Sequence, residues 1–296
     1  MRIGAVPRAE ARAGLLLVSP FAVLLAAFLL LPLAYALWMS LHRSTLVTGS
    51  VFAGADNYLQ ALRDPEFARG AGRVVLYGLV QTPILIGLAL FAALVTDATV
   101  SRVSKMFRMA MFAPYAVPGV IGALMWGFLY SPSLGPLTGA AEAIGLGRPD
   151  FTGKDLVFAS IVNVSTWQWV GYNMIVLYSA LQAVPGDLCE AATIDGAGAV
   201  RIAVRIKTPM IRSAIVMATV FTVIGTLQLF VEPFMLQPFN PGTITDSYVP
   251  NLYAYSQAFS YQRYEYSAAL SFALGAIVFV CSYAFLLVTR RRSVTR

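Results

Sequence analysis

Six stretches of this chain stay apolar long enough to cross a bilayer, at about Leu15–Leu41, Val74–Thr96, Met109–Tyr130, Leu156–Leu181, Ala214–Leu236 and Ala268–Val288. A hydrocarbon core takes about 20 residues of helix. In lipid the backbone must satisfy its own N–H and C=O groups, so runs of this kind are read as helices. The expected fold class is all-α: a polytopic membrane protein with six transmembrane helices. Its parts are a cytosolic N-terminus at 1–14, a membrane domain at 15–289 and a basic cytosolic tail at 290–296. Arg8 and Arg12 before the first run, and Ala34-Tyr35-Ala36 inside it, imitate a signal peptide. A signal core is only about 7–15 residues long, and this run is longer, so it reads as a retained span.

Composition agrees with lipid as the solvent. Hydrophobic residues are 58% of the chain and charged residues 12%, against about a quarter charged in a soluble domain. The net charge of +7 is not gathered into a basic stripe interleaved with aromatics, so a nucleic-acid partner is not expected. Basic residues lie in the short segments between spans, and fourteen of the 21 fall on the side of the N-terminus. This bias puts both termini in the cytoplasm, with Arg290-Arg291-Arg292 beside the anionic inner leaflet. Cys189 and Cys281 have no metal-ligand spacing.

The segment between the fourth and fifth spans, 183–213, is richer than a connector. Pro185 can start a helix with Asp187 and Glu190 near its positive end. Gly196 and Gly198 can break it, and a second amphipathic helix follows, with Val200, Ala203, Val204 and Ile206 apolar among Arg201, Arg205 and Lys207. Pro209 is expected to separate that helix from the fifth span. The result is a cytosolic helix–turn–helix with one apolar face, a shape suited to a partner's groove.

These residues carry a resemblance. Glu190-Ala191-Ala192, Gly196, Ile206 and Pro209 stand in the register of the EAA loop of bacterial ABC importer permeases, with Thr208 in place of the usual Leu. The resemblance implies the type I importer permease fold, with this loop docked in a cleft of the ATPase. Glu190, Ala191, Ala192, Asp195, Gly196, Ile206 and Pro209 would form the coupling site. Glu190 would pair there with a basic residue of the ATPase. Further matches point to the carbohydrate-uptake branch, similar to maltose and glycerol-3-phosphate permeases. They are Phe52 to Tyr58, Ala113 to Pro118 with Trp126, Thr166-Trp167 and Val184 to Leu188. Phe239-Asn240-Pro241-Gly242 replaces that branch's Gly-Gly-Pro after the fifth span. The implied partners are a second permease subunit, two ATPase subunits and an extracytoplasmic solute-binding protein.

No phosphate-binding Gly-x-x-x-x-Gly-Lys-Ser/Thr motif occurs, so this chain is expected to bind no cofactor of its own, ATP and Mg being held by the partner ATPase. It is not expected to be an enzyme: its one histidine, His42, sits at a span edge, and no span pairs carboxylates or metal ligands. An ion-coupled secondary transporter is the rival of a different class, but Glu232 is the one acidic residue within the six spans. The solute is read as a sugar, with a non-sugar polar solute as the alternative.

Sugars are held by aromatic faces and a few hydrogen bonds in a mostly apolar cavity. Trp169, Tyr172 and Asn173 on the fourth span, with Thr226, Gln228 and Glu232 on the fifth, are the expected solute contacts. Gln228 and Glu232, four apart, should share a helix face. Counting from Glu190 along the maltose-permease pattern singles out Trp169, Tyr172 and Thr226, and passes over Gly225 and Leu229 for want of chemistry. Trp167 is read as part of the outer aromatic belt. Tyr248, Tyr253, Tyr255, Tyr261, Tyr264 and Tyr266 are read as interfacial anchors.

The charge bias generates a test. In a background with Cys189 and Cys281 replaced by Ala, single cysteines near Arg102 and Arg290 should resist an impermeant maleimide added to intact cells. One near Gly145 should react. Labelling in the opposite sense would invert the orientation.

Overall fold

The computed structural model describes residues 8–45, 49–99, 102–133, 135–145 and 147–294, with the side chains of 8–13, 45 and 284–294 excepted. Residues 1–7 of the expected cytosolic N-terminus, and the side chains of 8–13 and of the basic tail, lie outside the described residues. The chain divides into two compact units, 1–63 with 257–273 and 64–256 with 274–296.

In the first unit, helix α1 (Gly14–Ser40) has none of its most apolar window buried. A short hairpin follows, an addition to the expected all-helical class: β1 (His42–Thr45) pairs antiparallel with β2 (Gly49–Phe52), His42 facing Phe52. Helix α2 (Asp56–Arg63) is pinned beneath it. The buried Asn57 amide donates to the carbonyls of Ser40 and His42 at 2.9 and 2.7 Å.

The second unit is built around the fourth predicted span. Helix α3 (Pro65–Ala98) opens on Asp64, whose carboxylate caps the amide of Glu66 at 2.9 Å. It packs along α7 (Val157–Leu181), and α4 (Arg102–Ala116) and α5 (Gly119–Leu129) cross the same helix. A short helix α6 (Pro136–Ala143) lies between α5 and α7 in sequence. After α7 come α8 (Gly186–Ile194), α9 (Ala199–Met210), α10 (Arg212–Thr226) and α11 (Val231–Leu236). Helices α12 (Pro250–Phe259) and α13 (Tyr264–Val294) complete the chain.

The helices do not confirm the exact count of six spans. Among the described residues, three helices are long and apolar enough to cross a membrane: Gly14–Ser40, Pro65–Ala98 and Tyr264–Tyr283. Two bent pairs raise this to at most five. The third predicted span, Met109–Tyr130, is broken between α4 and α5 by 96°. The fifth, Ala214–Leu236, is entered through a 70° bend between α9 and α10, and its helix stops at Thr226. α7 has the length of the fourth span, but its asparagines, serines and glutamine hold it below the apolarity of the others. The count of six is therefore not reached on length and composition.

Lipid tails are as apolar as leucine, so helices in a bilayer associate through close packing rather than water exclusion. Ala89 and Ala93 of α3 are fully buried in a cluster with Met174, Leu177 and Leu181 of α7. A second cluster, with Val74 and Tyr77 of α3 and Ile161 and Val164 of α7, lies further along the same two helices. The tightest crossing is at Gly171, where an added Cβ would lie 1.8 Å from the carbonyl oxygen of Met111. Backbone meets backbone there, and α4 cannot approach α7 over any side chain.

Gly171→Ala should therefore force the helices apart and cost about 1–3 kcal/mol, the range for overpacking. Gly87→Ala on α3, which meets nothing within 4 Å, should leave stability unchanged. Unfolding midpoints of the purified chain in detergent compare the two, and equal midpoints would mean the crossing is loose.

Candidate solute cavity and candidate docking loop

A cavity of about 360 Å³ lies inside the second unit, at the level of α3 and α7 that separates the two apolar clusters. Tyr77, Gln81 and Leu85 line it from α3, and Ser165, Gln168, Trp169, Tyr172 and Asn173 from α7. The opposite wall is the stretch from Phe221 to Glu232.

That wall exists because two prolines break helices at this depth. Proline lacks an N–H and its ring clashes with the carbonyl four residues earlier. Pro118 separates α4 from α5, and the carbonyl of Val117 is satisfied by the Gln168 amide at 2.8 Å. Pro233 stands in the first turn of α11, and the carbonyl of Leu229 takes the Asn251 amide at 3.4 Å. The chain closes α10 with tight turns, Gln228 N–H to Gly225 and Leu229 N–H to Thr226. In lipid such freed groups have to be met by protein.

All six residues expected to meet the solute line this one cavity: Trp169, Tyr172, Asn173, Thr226, Gln228 and Glu232. Gly225 and Leu229 line it too. One part of the expectation is corrected. Gln228 and Glu232 do not share a helix face, because the helix ends at Thr226 and restarts at Val231. Glu232 faces α7 and accepts a hydrogen bond from Ser165 at 2.7 Å. Trp169 and Tyr172 remain 43% and 40% exposed, their rings bare towards the open space. Tyr115 of α4 completes an aromatic trio, stacked on Tyr172 at 4.9 Å and edge-on to Trp169 at 5.4 Å.

Sequence reasoning missed Tyr115, Tyr77 and Gln81. Gln81 is 2% exposed, and its amide oxygen has no hydrogen-bond partner among the described residues. A buried unpaired acceptor costs about 1–3 kcal/mol, so a donor from a solute would be stabilising there. The usable signal was a glutamine inside an apolar run.

The aromatic belts are also corrected. Trp167 is half-buried, edge-on to Trp126 at 5.8 Å and over Gly122. Tyr248 is buried beneath the Arg73 guanidinium at 4.8 Å, and Tyr253 donates to Asp64 at 2.7 Å. Tyr255 packs against Phe230 and Phe234, and Tyr266 is buried within the first unit. These four tyrosines have packing partners within their units, while Tyr261 and Tyr264 stay exposed.

The docking loop forms as the sequence predicts up to its second helix. Pro185 precedes α8, and Gly196 ends it with φ of +80°. The amide of Ala197 bonds to Ala192 and that of Gly196 to Thr193, at 2.9 and 3.0 Å, closing the helix with a glycine in the left-handed region. Glu190, Ala191 and Asp195 are exposed, Ala192 and Ile206 half-buried. Ile194 and Val200 are 87% and 78% exposed. Pro209 does not separate the second helix from the next span. It lies inside α9, preceded by a widened turn over Ala203–Lys207, in which Thr208 bonds to Ala203 through both amide and hydroxyl. The widened turn accommodates the missing N–H, and the break falls at Ile211.

Lys207 of α9 makes an ion pair with Asp97 at the end of α3, and Gln182, just after α7, donates to the other carboxylate oxygen at 2.7 Å. One carboxylate thus fastens the docking loop to the two helices that line the cavity.

Comparison with known proteins places this geometry. A family described as binding-protein-dependent transport system inner membrane component matches residues 82–293. The lactose transport system permease protein of Rhizobium radiobacter is 30% identical over 94% of both chains. The trehalose/maltose transport system permease protein of Thermococcus litoralis is 29% identical over 80% of this chain and 81% of its own. Among solved structures, a bacterial ABC transporter involved in the import of the acidic polysaccharide alginate superposes with a TM-score of 0.85. It covers 98% of this chain and 99% of its own at 21% identity, which establishes the shared fold.

The Asp97 staple has a measurable consequence. Asp97→Ala leaves Lys207 partly buried without its partner and should cost about 1–3 kcal/mol, between exposed and buried pairs. Asp97→Ala with Lys207→Met should recover part of that loss. Unfolding in detergent provides the double-mutant cycle, and a fully stable Asp97→Ala chain would show that the staple holds nothing.

Proposed function

We propose that this chain, which belongs to the family of binding-protein-dependent transport system inner membrane components, forms half of an ATP-driven import path for a sugar or related polar solute. Proteins of this family are the membrane-embedded component of the importer, and hydrolysis belongs to a separate ATPase subunit, so the chain is a permease rather than an enzyme. In the complete importer it pairs with a second permease, two ATPase subunits and an extracytoplasmic solute-binding protein. Both termini and the α8–α9 hairpin face the cytosol. The cavity holds the solute, with Trp169 and Tyr172 as its stacking faces and Thr226 and Gln228 on the opposite wall.

The observation that carries this reading is the exposed hairpin. Glu190 stands in solvent on a helix capped at Gly196, and Ile194 and Val200 beside it are bare apolar surface. Such a surface fits a groove on a partner. Movement of the docked hairpin reaches the cavity through Asp97, because α3 and α7 carry the cavity wall and meet α9 at that carboxylate. Closure of the ATPase pair would then turn the cavity outward, where the binding protein delivers its ligand.

Truncating one partner of a charge-assisted interface contact typically costs about 2–5 kcal/mol. Glu190→Lys should therefore lower recovery of the ATPase subunit with the tagged chain from host membranes by about tenfold or more. Gly196→Pro, at a backbone site requiring positive φ, should abolish uptake of radiolabelled sugar with membrane insertion preserved. Normal ATPase recovery and normal uptake in Glu190→Lys would overturn the docking role.

A further inference from the structure

The cavity is lopsided in charge, because Glu232 is the one ionisable acid or base among the described residues that line it apart from tyrosine hydroxyls. Ser165 spends its one hydroxyl proton on Glu232, and Thr226 spends its own on the carbonyl of Val223 at 2.8 Å. Gln168 gives an amide N–H to Val117, and Asn173 gives one to Trp169 at 3.1 Å. On the acceptor side, the Gln81 amide oxygen is buried and unpaired, and Glu232 contributes a carboxylate, which accepts up to about four hydrogen bonds. Among the described residues, no Lys, Arg or His lines the space. Two arginines on helices next to it are engaged elsewhere, Arg73 over the Tyr248 ring and Arg108 on Tyr178, where it also donates to the hydroxyl at 2.8 Å.

We propose that Glu232 is a specificity-determining residue that bars anionic solutes, so that the cavity takes polyhydroxylated solutes of neutral or positive charge. This rests on the reading of the cavity as the solute site. Hydroxyl and ammonium groups donate to Glu232 and to Gln81. An anion needs donors of positive charge, and the donors that line the space, among them Gln228, the Trp169 indole and the hydroxyls of Tyr77, Tyr172 and Thr222, are neutral. Like charges within a shared cavity of low dielectric repel more strongly than in water, and a buried acceptor facing another acceptor gains nothing to offset its lost hydration.

The test compares three disaccharides of similar size and different charge: trehalose, the glucosamine dimer and digalacturonate. Binding to the full chain in lipid nanodiscs is read by tryptophan fluorescence, with Trp169→Phe identifying the cavity signal. Wild type should bind trehalose and the glucosamine dimer, with digalacturonate weaker by about tenfold or more. In Glu232→Gln, which keeps the side-chain shape, that gap should shrink to about threefold or less with trehalose affinity kept. Wild type that binds digalacturonate as well as trehalose overturns the filter without any variant being needed. A Glu232→Gln chain that still rejects digalacturonate tenfold overturns the role of Glu232. Failure of wild type to bind any of the three disaccharides overturns the sugar reading of the cavity, and the filter with it.

Discussion

A helix broken inside a bilayer exposes carbonyls and amides that lipid cannot satisfy. In the second unit, Pro118 and Pro233 make two such breaks, and the side chains of Gln168 and Asn251 answer the carbonyls of Val117 and Leu229. The rest of that unit depends on this exchange. The broken stretch is what leaves room for a cavity, because an unbroken α10 continued through Glu232 would present one continuous helical face to α7. The polar residues that make α7 too polar to pass for an ordinary span are required by the same geometry. Gln168 serves the break at Pro118, and Ser165 meets Glu232.

Close approach without side chains is the second requirement. Gly171 lets the backbone of α4 lie against α7, and this brings Tyr115 against Trp169 and Tyr172. The aromatic trio is therefore a product of one glycine as much as of three aromatic residues. At their far ends the same two helices, α3 and α7, meet α9 through Asp97. Two long helices fastened at one end and lining the cavity further along form a direct mechanical link between α9 and the cavity.

Much of this was legible in the residues alone. The helix–turn–helix after α7 could be read up to its second helix because its signals are local: Pro185 before a helix, a glycine at the position that needs positive φ, and alternating basic and apolar residues; Pro209, inside that helix, was misjudged. The six cavity-lining residues could be picked because polar and aromatic side chains at membrane depth seldom face lipid. The bend at Pro118 and the break before Pro233 were not foreseen, and with them went the shared face of Gln228 and Glu232. Hydropathy averages over a window and is blind to a proline that leaves composition almost unchanged. The tyrosines after Pro241 misled for a related reason. Their composition matches a membrane interface, while their partners, Arg73, Asp64 and Phe234, are far away in sequence.

By itself the sequence determined that this chain is a helical membrane protein of the importer permease family and where its helix–turn–helix after α7 lies, because apolar run length and a spaced local motif are properties of the chain read in order. The tertiary structure decided which polar groups remain unspent. Gln81 is an orphan acceptor, Ser165 is committed to Glu232, and Gln168 is committed to a broken helix, only once α3, α7 and the stretch after Thr226 are brought together. Hydrogen bonds between distant helices are settled by three-dimensional proximity, and no spacing along one chain encodes which donor will find which acceptor.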